Sequence, residues 1–399
     1  MQAYLTEWLA LLIRWIHVIA GVAWIGASFY FIWLDNHLRE PPQWKKEKGI
    51  KGDLWAIHGG GFYEIAKYRY APERMPEELH WFKWEAYTTL LSGMSLLFVV
   101  YYLGSPGYLV DPAKADLSTG TAMALGLGGI ALVLAIYEAL IRSPLAAHGK
   151  LFGLILFAVL TLADWAYFQW FSGRGAFIHV GATIGTIMVA NVFLGIIPSQ
   201  KALVATVSAG REPDARIRYL ADLAKLRSTH NNYLTLPIIF IMISNHYPSL
   251  YGHPHGWAIL AAIGFITAFA RHYFNLRHRG IHKPSILVSS ALMGLILVWI
   301  LAPAPTPEPR ISSAAPVADT RIQAIMQTRC LSCHASKPTQ PGFNAAPAGI
   351  ILEEPAQWIA HRDRIMQAAV STRYMPLGNI TGMTEEERGE LGQWLRQKH

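Results

Sequence analysis

The sequence has few charged residues and only two cysteines. Of its 399 residues, 15% are charged and 52% are hydrophobic, a balance too apolar for an ordinary soluble enzyme of this length. It contains neither a GxGxxG nor a P-loop pattern, so nothing supports a nucleotide cofactor. The net charge of +8 is not gathered into a basic stripe beside a recognition motif. We therefore expect no nucleic-acid partner.

The apolar residues are concentrated in the first three hundred positions. They form stretches of about 18 residues or more, the length that crosses a lipid bilayer. We predict eight membrane spans, at 8–34, 86–103, 119–141, 151–171, 176–198, 233–251, 256–276 and 285–302. Basic residues fall in alternate loops, and the positive-inside rule places those loops in the cytoplasm. The same rule places both termini in the periplasm.

Both cysteines lie in one short motif near the C-terminus. Cys330-Leu-Ser-Cys333-His334 matches C-x-x-C-H, the attachment motif of c-type haem. Each thiol adds to a haem vinyl group, and His334 supplies an axial nitrogen to the iron. A zinc site needs further cysteines and a thioredoxin-like site needs a βαβ context, and the sequence offers neither.

A second axial ligand is expected downstream, and the segment YMPLGN at 374–379 provides Met375. A methionine opposite the histidine raises the reduction potential of the iron, which suits an electron acceptor. Met366 and Met383 are the competing thioethers. The pattern around Met375 looks like that of class I cytochromes c and favours Met375.

The flanking segments predict two helices. Ile322, Ile325 and Met326 form an apolar face before the haem motif. Thr384 and Glu387 form a capping box that begins a helix burying 391, 394 and 395.

These features predict an all-α chain. Residues 1–302 form a polytopic eight-helix membrane domain, residues 303–318 a Pro/Ala-rich linker, and residues 319–399 a small class I-like cytochrome c domain with one covalent haem c. Haem c is attached outside the cytoplasm in bacteria. The predicted location is therefore the bacterial inner membrane, with the lipid bilayer around the first domain and the second domain in the periplasm.

Five ionisable residues fall in the outer half of the predicted membrane domain. Such residues usually face a protein interior and are candidates for function. His17, His179 and His246 either ligate a b-type haem, or form another redox site, or hydrogen-bond between helices. Arg14 and Asp164 either form a structural ion pair or take part in catalysis.

Two aromatic stretches lie in the first basic loop, at 55–64 and 80–85. The first contains Gly59, Gly60 and Gly61 among Trp, Phe and Tyr residues. The glycines permit close backbone approach to a ligand, and the rings can stack on a flat heterocycle. The alternative is an interfacial aromatic belt with a flexible turn.

Several stretches together resemble the bacterial membrane-bound urate oxidase (urate hydroxylase) family with a C-terminal cytochrome c domain. They are LWAIHGGGFYEIAKY at 54–68, LHWFKWEAYTTLLSG at 79–93, THNNYLTLPIIFIMISNHYP at 229–248, CLSCH and YMPLGN. The resemblance implies oxidation of urate towards 5-hydroxyisourate. Electrons would pass to the attached haem and on to a downstream respiratory cytochrome or terminal oxidase. The resemblance does not identify the catalytic residues.

Two other functions remain open from the residues alone. One is a non-catalytic, membrane-anchored cytochrome c subunit that relays electrons within a respiratory complex. Eight spans argue against it, because one would suffice as an anchor. The other is a permease with a fused cytochrome, for which paired Gly/Pro-interrupted spans are expected and only Pro237 provides one.

Overall fold

The computed structural model describes residues 2–397 except 70, 73, 105, 113, 279, 303–316, 342 and 344. Most of the predicted linker thus lies outside the described residues. The described chain has two large hydrophobic cores. One lies within a helical bundle and includes Leu97 through Leu260, and the other includes Ile322 through Leu395.

Each of the eight predicted spans falls on helical structure. The helices are α1 (Gln2–His37), α2 (Trp84–Leu96), α3 (Thr119–Ile141), α4 (Gly149–Trp170), α5 (Gly173–Ala190), α6 (Ala215–Ser244), α7 (Gly256–His278) and α8 (Pro284–Ile300). Short π-helical segments at Leu97–Tyr102 and Asn191–Ile196 extend α2 and α5. After the second of them the helix runs on as Ile197–Ser208, and we call residues 191–208 the α5 continuation. Five of these helical segments are long and apolar enough to cross a membrane. That all eight cross stays a prediction.

The boundaries of the sixth span differ from the prediction at both ends. α6 begins at Ala215, where the Asp214 carboxylate accepts a hydrogen bond from the Ile217 amide at 2.8 Å, and it ends at Ser244. His246 lies in the turn that follows. Pro248 disfavours helical conformation in the residue before it, and a separate short helix begins there.

A β-hairpin makes the all-α prediction wrong in one place. Strands β1 (Ile50–His58) and β2 (Gly61–Tyr68) pair antiparallel, with His58 opposite Gly61. Gly59 and Gly60 form the two-residue turn with φ of +58° and +83°, which glycine adopts without steric cost. The buried Lys45 ammonium bonds to the carboxylates of Asp53 and Glu64 and so anchors the hairpin.

The C-terminal core is built from α9 (Asp319–Arg329), α10 (Pro355–Ala360) and α11 (Glu385–Gln397). The predicted capping box is confirmed. The Thr384 amide donates to the Glu387 carboxylate at 2.8 Å, and the Glu387 amide donates to the Thr384 hydroxyl at 3.2 Å. The predicted apolar faces of the two flanking helices are buried. Shorter helices lie at Gln43–Glu47, Pro106–Leu109, Pro144–Ala147, Pro248–Tyr251, Pro347–Gly349, Arg362–Ile365, Met366–Ser371 and Leu377–Asn379.

A buried polar network joins three helices of the bundle. The Arg227 guanidinium on α6 donates to the Glu138 carboxylate of α3 at 2.6 and 2.9 Å and to the Asn191 carbonyl oxygen at 2.9 Å. The Asn191 amide donates to Asn231 at 2.8 Å. A Cβ at Gly195 would lie 2.3 Å from the Arg227 side chain. Glycine is therefore required where this side chain crosses the α5 continuation.

Replacing Glu138 tests the network. Glu138→Gln leaves the Arg227 charge buried without its counterion, and we expect the free energy of unfolding to fall by roughly 3 kcal/mol. Arg142→Gln removes only the exposed partner of Glu138 and should cost less than about 1 kcal/mol. Unfolding of both variants in detergent measures the difference. Equal losses would show that Arg227 is not held by this pair.

Candidate functional site

The C-terminal domain contains a cavity of about 500 Å³ that brings the predicted haem c residues together. Cys330, Cys333, His334 and Met375 all line it. α9 ends at Arg329, so the motif begins in the turn after the helix. Met383 also lines the cavity, whereas Met366 packs against the domain core. The structure thus narrows the competing thioethers to Met375 and Met383.

His334 is oriented as an axial ligand requires. Its Nδ1 donates to the Ile350 carbonyl at 2.9 Å, which fixes the tautomer and leaves Nε2 for the iron. Burial lowers the pKa of His334 despite that hydrogen bond. The imidazole is therefore neutral at pH 7, and the neutral form is the one that binds a metal.

The two thiols are protonated in their buried positions. Burial raises the pKa of Cys330 to about 12 and also raises the pKa of Cys333. Thiolates are the form that binds zinc or attacks a disulfide. Among the described residues, no group of three His, Cys, Asp or Glu side chains is placed to hold a metal ion. Two thiols, one imidazole nitrogen and one thioether around a single cavity fit a covalently attached haem.

Arg388 holds the backbone of Met375. Arg388 is buried, and its guanidinium donates to the Met375 carbonyl at 2.6 Å and to the Ala369 carbonyl. The Met375 amide donates to the Ala368 carbonyl at 3.0 Å. Arg388 is therefore a positioning residue for the thioether.

The helical bundle supplies one wall of the same cavity, through Tyr108, Arg174 and Tyr251. The two domains contact closely here. Gly378 of the YMPLGN segment has a φ of +57°, and a Cβ on it would lie 2.7 Å from the Gly107 carbonyl oxygen. Position 378 therefore requires glycine for two reasons, its positive φ and its close approach to the backbone of Gly107.

The three histidines assigned to the membrane domain are not brought together. His179 is fully buried, its Nδ1 donates to the Gly175 carbonyl at 2.7 Å, and its Nε2 accepts from the Tyr102 hydroxyl at 2.9 Å. Both nitrogens are therefore engaged. His17 bonds through Nδ1 to Thr89 and Ser92 of α2 at 3.0 Å, and His246 is exposed.

These positions do not fit a b-type haem. The cavity beside His17 measures about 110 Å³, against about 500 Å³ beside Cys330. His17 and His179 instead form hydrogen bonds between helices, which was one of the predicted alternatives. Arg14 and Asp164 do not pair either. Arg14 is exposed, whereas Asp164 is buried and its Oδ1 has no hydrogen-bond partner.

A second large cavity, of about 860 Å³, lies at the end of the bundle away from the C-terminal domain. We call it the polar cavity. Its walls come from α1, α6, α7, the α5 continuation and the segment before α2, and they include Asn231, Asn232 and Asn275. The cavity lined by the predicted haem c residues is called the haem c cavity after that prediction. Arg174 near the start of α5 lines the haem c cavity, and Val192 lines the polar cavity. These 18 positions correspond to about 27 Å along a helix.

The aromatic stretches predicted from the sequence separate in the structure. Trp81 and Phe82 of the second stretch line the polar cavity. Trp55 and Phe62 of the first stretch are exposed on the hairpin, and a Cβ on any of the three glycines would meet nothing within 4 Å. Those glycines make a turn and do not surround a ligand.

The asparagines of the polar cavity were missed by the sequence analysis. Asn231 and Asn232 are adjacent polar residues in the stretch THNNYLTLPIIF, which is otherwise largely apolar. Polar side chains in a predicted membrane domain usually face the bundle interior. That rule, applied to amides as well as to ionisable groups, is the signal that would have found them.

Comparison with known families matches residues 3–302 to the family described as urate oxidase N-terminal. The match covers the bundle and stops before the C-terminal domain. No curated protein and no solved structure matches the chain.

Replacing Arg388 tests the placement of Met375. In protein carrying the expected haem, Arg388→Leu should lower the reduction potential and weaken the methionine-to-iron charge-transfer band, because the thioether loses its support. Redox titration and the spectrum of the oxidised protein measure both effects. Arg321→Leu removes an arginine from an exposed pair with Glu390 and should change neither. If Arg388→Leu also leaves potential and band unchanged, the positioning role is wrong.

Proposed function

The chain belongs to the urate oxidase N-terminal family, and from this membership we propose that it is a membrane-bound enzyme that oxidises urate. We further propose that the electrons pass to a c-type haem held by its own C-terminal domain. The observation that carries the proposal is the cavity formed by Cys330, Cys333, His334 and Met375. This cavity is closed on one side by the bundle to which the family match applies.

The reaction balances without dioxygen as oxidant. Urate and one water molecule give 5-hydroxyisourate, two protons and two electrons. A bound c-type haem supplies a one-electron acceptor. Each urate molecule therefore requires two successive transfers, and the electrons leave to a downstream respiratory cytochrome or terminal oxidase.

The chain's own residues hold the acceptor in place. Cys330 and Cys333 would attach it, His334 Nε2 and the Met375 thioether would bind its iron, and Arg388 fixes the methionine segment. Arg174 lies against the bundle side of the cavity, with its guanidinium 4.2 Å from the centroid of the Tyr108 ring. A cation at this wall suits the carboxylate groups of a porphyrin.

Membrane insertion is supported by five long apolar helices and by the alternation of basic loops. Because haem c is attached outside the cytoplasm, the C-terminal domain belongs in the periplasm. The polar cavity then opens towards the cytoplasm, where purine breakdown supplies urate. Electrons consequently travel most of the thickness of the bilayer.

A cluster of aromatic rings lies at the end of this path. The rings of Tyr102, His179 and Phe171 are buried and contact one another where α2 and α4 end and α5 begins, which is the end of the bundle near the C-terminal domain. The His179 ring centroid lies 5.7 Å from that of Tyr102 and 4.4 Å from that of Phe171.

The proposal is tested by adding urate anaerobically to the oxidised, detergent-purified protein. We expect the α-band of the reduced c-type haem to appear. Protein carrying both Cys330→Ala and Cys333→Ala should lose urate turnover, because its electrons have no acceptor. Conversely, retained turnover in that variant would exclude the acceptor role.

The same measurement addresses the non-catalytic alternative. A relay subunit would be reduced by a chemical reductant such as dithionite but not by urate. The polar cavity favours the enzyme over this alternative, because an anchor has no need of an 860 Å³ polar chamber.

A further inference from the structure

We propose that the polar cavity is the urate site, with Asn232 and Asn275 hydrogen-bonding the ring and Arg271 balancing its charge. This inference rests on the proposed function and adds the residues that recognise the substrate. It stands on two buried polar atoms that have no partner and on one buried cation that has no carboxylate.

Asn232 presents an unpaired donor to the cavity. Its side chain is 0% exposed, and its carbonyl oxygen accepts a hydrogen bond from Arg271 Nε at 3.1 Å. That bond fixes the orientation of the amide. The Asn232 Nδ2 group has no hydrogen-bond partner, although it belongs to a cavity wall. A buried donor left unpaired is costly, so a ligand is expected to complete it.

Asn275 presents an acceptor in the same wall. It follows Arg271 by four positions on α7 and therefore lies on the same helix face. Its buried Oδ1 also has no hydrogen-bond partner. The edge of urate carries ring N–H donors and carbonyl acceptors side by side. One amide donor and one amide acceptor are the complement of such an edge.

Basic side chains outnumber acidic ones at the polar cavity. Its lining includes Lys67, Lys225 and one carboxylate, Asp35, which is ion-paired with Lys67. Arg271 lies behind this lining, bonded to Asn232. Urate is an anion at neutral pH. Arg271 is 7% exposed and its guanidinium lies 4.0 Å from the Phe29 ring centroid. Within the described part of the chain, no carboxylate reaches ion-pair distance of it. A buried cation without a counterion is unfavourable, and a bound urate anion would supply the missing charge.

The remaining walls suit a flat ring. Trp24, Trp81 and Phe82 line the cavity beside the asparagines, and their faces can stack on a planar heterocycle.

Two further large cavities have different linings. One, of about 550 Å³, is lined mainly by apolar residues such as Leu156, Ile184 and Leu260. The polar residues of the 550 Å³ cavity include Asp164, His230 and His272, but among the described residues its lining has no side-chain amide, whereas the polar cavity has Asn232 and Asn275. The other, of about 750 Å³, lies between the hairpin and residues 207–218, and the described residues of its lining include no aromatic ring that could stack on a purine.

Asn232→Asp is the sharpest test, because it changes recognition and gives Arg271 a carboxylate partner. The new charge repels urate and the amide donor is lost. We expect the urate concentration that half-saturates anaerobic haem reduction to rise by at least about tenfold, the factor for one lost hydrogen bond to a charged group. Reduction by dithionite and the haem spectrum should stay unchanged.

Two further variants complete the test. Asn275→Asp should raise the half-saturating concentration similarly, and it serves if Asn232→Asp fails to fold. Gln169→Glu makes the same amide-to-carboxylate change on the exposed face of α4, where the amide bonds only its own helix, and should leave the urate dependence unchanged.

The outcomes separate the two proposals. If urate fails to reduce the wild-type haem while dithionite succeeds, the proposed function is wrong. If wild-type haem is reduced by urate and both asparagine variants keep the wild-type half-saturating concentration, the enzyme stands and the polar cavity is not its urate site.

Discussion

The buried guanidinium of Arg227 is the constraint on which the far end of the bundle depends. A cation inside an apolar bundle must be paired, and Arg227 is paired with Glu138 on α3 and bonded to Asn191 on the α5 continuation. Asn191 in turn fixes Asn231, the neighbour of Asn232. The network therefore fixes α6 and the α5 continuation, whose side chains line the polar cavity, against α3.

The opposite end of the bundle is built on close backbone contact. Gly107 and Gly378 let the methionine segment of the C-terminal domain lie directly on the bundle, and Arg388 holds that segment from behind. The haem c cavity is thus shared by both domains, and α5 reaches from it to the polar cavity. In the proposed enzyme, one continuous helix links the place where urate gives up electrons to the place where they leave.

The features that sequence could predict are those in which chemistry fixes both residue type and spacing. The C-x-x-C-H motif identifies Cys330 and His334 regardless of the fold around them. The capping box likewise needs only Thr384 and Glu387 three positions apart in the sequence. The hairpin of β1 and β2 was not predicted, because a short two-stranded hairpin with exposed aromatic residues has a hydropathy profile like that of a loop. The histidine partners and the Asn232 donor depend on how α1, α5, α6 and α7 pack, which span depth alone does not determine.

The central claim is that urate and the haem lie on opposite sides of the membrane. It is tested most directly in proteoliposomes separated by orientation, which protease access to the C-terminal domain reports. The account predicts that external urate reduces the haem only in vesicles that enclose the C-terminal domain. Equal reduction by external urate in vesicles that expose this domain would contradict it.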